Sequence, residues 1–93
     1  MVNTPLPSEP ALDLAIAPSW KAPELTLKQR FGMRLYSLRA DRGLTQMQVA
    51  ERARRDRSFI SDMERGIKEP SLTTLDSLAK LFSMSVSELL RDI

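Results

Sequence analysis

Residues 44–66 read LTQMQVAERARRDRSFISDMERG. Two short helical patterns meet here across a polar break. Thr45-Gln-Met-Gln48 is a capping box, in which the threonine hydroxyl accepts the amide three residues on and the glutamine reaches back. It opens a helix that turns Val49, Ala50 and Ala53 inward. Asp56 stands where it can cap a second helix, expected over 56–65, whose Ile60 and Met63 share a face and which stops near Gly66. That second helix is short and dense in charge, yet anchored along one side.

Working outward, the same signals recur. Thr26-Leu-Lys-Gln29 is another capping box, and Leu27, Phe31, Leu35 and Leu38 follow at helical spacing. That helix should run to about Asp41 and stop at Gly43. Pro70 and Ser71 start a fourth helix carrying Leu72, Leu75, Leu78, Ala79 and Phe82. Ser85-Val-Ser-Glu88 caps a last one with Val86, Leu89, Leu90 and Ile93. No alternating β pattern competes. The fold expected is all-α, a compact bundle of about five short helices over residues 26–93.

Residues 1–25 differ in kind. Five of the six prolines (Pro5, Pro7, Pro10, Pro18, Pro23) fall in the first 26 residues, where helical periodicity is absent. Proline lacks the amide donor and biases its predecessor toward extended backbone, so a Pro-rich N-terminal arm is expected. Its one apolar island, ALDLAIA at 11–17, could form a short helix or strand against a partner protein, but the favoured expectation is a loosely ordered tail with Trp20 packed on the domain.

Composition narrows the function. A chain of 93 residues makes one small domain, and with aromatics at 5% its core must be filled by Leu, Ile, Met and Ala. With neither Cys nor His, disulfides, thiol chemistry, zinc sites and Ser–His relays are excluded. Nothing places a nucleophile beside a base, so no enzyme and no cofactor is implied. No apolar run is long enough to cross a bilayer and no signal-peptide pattern opens the chain, which points to the cytosol. Residues 1–26 set Lys21 against Glu9, Asp13 and Glu24, a balance of −2. Residues 28–57 set nine basic side chains against three acids, a balance of +6. Such a block suits a polyanion.

Three stretches, FGMRLYSLRADRGLTQMQVAERA, DRSFISDMERG and PSLTTLDSLAKLFSMSVSELL, together resemble the lambda-repressor/Cro-type helix-turn-helix family, often called the XRE family. The resemblance covers roughly residues 27–92. DRSFISDMERG is also similar to the corresponding stretch of restriction–modification controller proteins. The family implies a transcriptional regulator of double-stranded DNA, with the second helix across the backbone and the third in the major groove.

On that resemblance the base-contacting candidates are Arg57, Ser58, Ser61, Asp62 and Phe59. Arg57, placed opposite Ile60 and Met63, has the planar fork that suits the paired acceptors of guanine. Asp62 can accept from a cytosine amine or orient a neighbouring arginine, and Phe59 can edge the core or touch a thymine methyl. Thr45 and Gln46 at a helix start, with Arg54, Arg55 and Arg65, are the phosphate-contacting candidates; each arginine could equally be a solvated surface charge. Arg39 and Glu64 match a structural pair of the family. Arg54 stands where the family usually has glycine, and Arg55 replaces a common apolar residue. Leu89, Leu90 and Ile93 leave more apolar surface than one small core needs, which points to a homodimer and a pseudo-palindromic operator, although domain packing alone would account for Leu89. The second reading is an antitoxin or interaction protein that grips a partner with its N-terminal arm.

Overall fold

Hydroxyl groups set the helix starts. Thr26 Oγ1 accepts the Gln29 amide at 3.1 Å and Gln29 Oε1 accepts the Thr26 amide at 2.8 Å. The same reciprocal pair forms at Thr45 and Gln48 (3.0 and 2.8 Å) and at Ser85 and Glu88 (3.1 and 2.8 Å). A computed structural model describes residues 24–93. In it α1 spans Leu27–Asp41, α2 Gln46–Ala53, α3 Arg57–Glu64, α4 Leu72–Leu81 and α5 Val86–Leu89. Among the described residues every regular element is helical. The expected arm, with its apolar island and Trp20, lies outside the described residues apart from Glu24 and Leu25.

Asp56 differs from its expected role. Its backbone is extended, as an N-cap requires, but its side chain makes no capping bond to α3. Ser71 does cap α4, accepting the Thr74 amide at 3.1 Å. The last helix is also shorter than the apolar pattern suggested, because Leu90 already leaves helical geometry.

The core lies where α3 packs on α1 and α2, and where α4 packs on α2 and α5. Leu35, Val49, Ile60, Met63, Leu78 and Leu89 are fully enclosed in it. Gly32 makes the α1–α3 crossing possible. A Cβ there would stand 2.4 Å from the Met63 carbonyl oxygen and 2.6 Å from that of Glu64. Glycine inside a helix costs about 0.5–1 kcal/mol relative to alanine, and here it lets two backbones approach. Gly66 (φ +74°) ends α3 in left-handed backbone and also lies against Gln29.

Arg34 of α1 and Arg42, the residue just after it, hold the far elements. Arg34 donates through Nε to the Leu89 carbonyl at 3.0 Å and through Nη2 to that of Glu88 at 2.7 Å. These are terminal carbonyls of α5, where a cation is favoured. Arg42 donates to the Phe82 carbonyl at 3.2 Å and stacks over the Phe82 ring at 5.0 Å.

Candidate nucleic-acid interface

α3 has a buried seam and a free surface. Ile60 and Met63 are fully enclosed, while Arg57, Ser58 and Arg65 are exposed and Ser61 and Asp62 half-exposed. At about 100° per residue, the surface opposite Ile60 and Met63 carries Ser58, Ser61, Asp62 and Arg65. Arg57 therefore lies on the flank toward α2, not directly opposite the seam as the sequence suggested. Phe59 is half-buried against the core cluster, the core-edge role of its two.

That flank carries a chain of hydrogen bonds. Arg57 Nη1 donates to Gln46 Oε1 at 3.0 Å, and Gln46 Nε2 donates to Glu64 Oε1 at 3.0 Å. Glu64 in turn accepts from Arg39 twice, Nε to Oε2 at 2.6 Å and Nη2 to Oε1 at 3.0 Å. Arg39 Nη1 continues to the Leu44 carbonyl at 2.9 Å, and its guanidinium lies 5.3 Å from the Tyr36 ring centre. The Glu64 side chain is 6% exposed and the Arg39 side chain 15%. The hydrogen bond to Glu64 raises the Arg39 pKa above its ordinary value, outweighing burial. So Arg39 and Glu64 do meet, in the two-pronged geometry that makes such pairs strong.

The basic block divides into engaged and exposed members. Of its nine cations, Arg34, Arg39, Arg42 and Arg55 are bonded to carbonyls, Glu64 or Thr74, and Arg57, though exposed, to Gln46. Arg55 is held by acceptors of the protein itself. Its Nε donates to Thr74 Oγ1 at 3.2 Å, and its Nη1 to the carbonyls of Arg54 (3.1 Å) and Ala53 (3.4 Å). Arg54 is exposed and closes α2 in the left-handed region, φ 57° and ψ 49°. The glycine-like position anticipated from the family is thus occupied by arginine in glycine-like backbone. Asp62 stands 3.5 Å from Lys68 Nζ and 3.7 Å from Arg65 Nη1, so its carboxylate neighbours two cations. The Thr45 hydroxyl is occupied by its capping role.

Leu89 takes up domain packing, the alternative open to it in the sequence. It is fully enclosed in the monomer's own core, so it is not free to meet another copy. Leu90 and Ile93 are half-buried, and with Leu27, Phe31, Pro70 and Leu75 they border an apolar cavity of about 160 Å³.

Signals for several of these contacts were weak. The coupling of Gln46 to Arg57 and the bond from Arg55 to Thr74 join residues on different elements, which periodicity does not relate. Gly32 stood in plain view within a helical pattern, the usual mark of a close approach.

The relatives of this chain fit that geometry. Residues 30–91 match the helix-turn-helix domain family. The chain belongs to the XRE-type helix-turn-helix family. The immunity repressor of Bacillus phage phi105 is 43% identical over 56 residues, 60% of this chain and 39% of the repressor. The clp gene regulator ClgR of Corynebacterium glutamicum superposes with a TM-score of 0.70 at 40% identity, covering 75% of this chain and 90% of that one. The restriction–modification controller C.AhdI of Aeromonas hydrophila does so at 0.64 and 35%, covering 67% and 94%. The chain spans less than half the length of the phage repressor. As a helix-turn-helix protein it places α2, the Arg54 turn and α3 in the family's central unit, and its relatives are transcriptional regulators. Among the described residues no helix is long and apolar enough to cross a membrane.

Proposed function

We propose that this protein is a sequence-specific regulator of transcription that binds duplex DNA with α3 in the major groove. The observation that carries this is the build of α3: two fully buried anchors, Ile60 and Met63, hold a helix whose opposite surface presents Ser58, Ser61 and Asp62, with Arg57 exposed on the flank toward α2. A helix that reads base edges needs that division. Arg57 reads guanine, Ser58 and Ser61 discriminate less, and Arg54, Arg65, Thr45 and the start of α2 grip phosphates. One such domain reads too few base pairs to be selective, so two copies act together on a pseudo-palindrome. Leu90 and Ile93 supply apolar surface for that pairing, on the side of the fold formed by α5 and the start of α1.

Selection of bound sequences from a random duplex pool tests the proposal. Enrichment of a pseudo-palindrome with half-sites about one helical turn apart is expected. Affinity should fall with salt at a log–log slope of about −0.9 per neutralised phosphate. No enrichment, together with salt-independent binding, would overturn it. Sedimentation showing a monomer both free and on DNA would remove the dimer.

A further inference from the structure

We infer that Glu64, which touches no DNA in this reading, is a positioning residue for base selection, acting through the side-chain amide of Gln46 on Arg57. This inference rests on the proposal that Arg57 reads a base.

A glutamine amide has two ends of nearly equal shape and opposite hydrogen-bonding sense. Its neighbours decide which way it points. On one side of Gln46 stands a carboxylate, which only accepts; on the other stands a guanidinium, which only donates. Nε2 must therefore face Glu64 and Oε1 must face Arg57, as the two 3.0 Å bonds record. Glu64 cannot yield its place, because Arg39 holds it by two bonds and its side chain is nearly enclosed. The fixed point of the chain is thus the ion pair between α1 and α3, and the adjustable end is the exposed arginine.

The consequence for Arg57 is orientation. A long exposed side chain samples many rotamers, and ordering it on DNA weakens the contact it makes. An acceptor held in place beside Nη1 restricts that sampling before DNA arrives. A guanidinium has five N–H donors, so one bond to Gln46 leaves enough to address the two acceptors of guanine. Without Glu64 the amide of Gln46 is biased only by Arg57, itself a long exposed side chain, so the acceptor is no longer fixed before DNA arrives and the cation loses its preset place. Gln46, expected from the family to contact phosphate, becomes a coupling element as well.

The test compares Arg57→Ala, Gln46→Met and Glu64→Gln in the full chain, against the selected site and a panel of its single-base changes. Arg57→Ala should flatten preference at one base pair by about 5- to 150-fold. Gln46→Met and Glu64→Gln should flatten preference at that same base pair by a smaller factor and leave the rest of the pattern intact. The double variant Arg57→Ala with Gln46→Met should lose no further preference there. A loss spread evenly over the panel for Gln46→Met would mean that Gln46 grips phosphate only, and the positioning role falls. If Arg57→Ala itself loses evenly, the base-reading proposal fails first, and the positioning role with it. Should Glu64→Gln unfold, Glu64→Asp replaces it, keeping the charge while drawing the carboxylate back from Gln46; full retention of preference at that base pair would overturn the inference.

Discussion

Arg55 is bonded to Thr74: its Nε–H donates to a hydroxyl oxygen 3.2 Å away on a residue only 3% exposed. Thr74 Oγ1 also lies 3.0 Å from the Ser71 hydroxyl, so the turn after α2 is tied to the start of α4. Arg55→Ala should therefore cost stability, about 1–2 kcal/mol by urea denaturation. The salt slope of DNA binding should stay that of the parent. A shallower slope with unchanged stability would return Arg55 to the phosphate contacts.

The Arg39–Glu64 pair predicts strong coupling. Removing either partner leaves a charge in a nearly enclosed site, at a cost of about 3–5 kcal/mol. The double change to apolar residues should cost less than the sum. A double-mutant cycle measures this, and additive losses would argue against the contact.

Arg54 occupies left-handed backbone that costs a side chain about 1 kcal/mol relative to glycine. Arg54→Gly should raise the unfolding free energy measured in urea by roughly that amount. In the same variant, affinity for every duplex should drop and the salt slope should lessen by about 0.9 if the side chain meets one phosphate.

Gly32→Ala sets helix propensity against space. Propensity favours alanine by about 1 kcal/mol, but the new Cβ meets two backbone carbonyls that cannot swing aside. Overpacking of this kind costs about 1–3 kcal/mol. A lower melting temperature is expected; a higher one would show that α1 and α3 separate easily.

Glu88 supplies a pH dependence. Its bonds to the Ser85 backbone and hydroxyl hold its pKa below the ordinary 4.5. A depressed carboxylate contributes stability that is present above 4.5 and lost as pH falls through the lower folded value. Acid titration of folding should show parent and Glu88→Gln converging below that range, with the parent ahead above it.

The sequence carried the helices well because their starts are written locally. Thr26, Thr45 and Ser85 each find their partner three residues away, and all three reciprocal caps form. Ile60 and Met63 were legible as the buried side of α3 for the same reason. The site was less legible. Nothing local tells which of several arginines turn inward, and the choice for Arg34, Arg42 and Arg55 depends on carbonyls or hydroxyls brought in by other helices. Leu89 and Leu90 look alike in sequence; one turn of helix sends the first into the core and the second to its edge.

α5 is only four residues long, and a helix of one turn does not persist alone in water. It holds its shape because Leu89 is inserted in the core and Arg34 grips its last carbonyls from α1. Its amides should thus be among the first to exchange with deuterium, opening well below the free energy of global unfolding. Whatever covers Leu90 and Ile93 must also close that opening. Formation of the pair would therefore be legible as slower exchange at α5, and a change at Arg34, far from any DNA contact, would weaken assembly by loosening the piece of chain on which it depends.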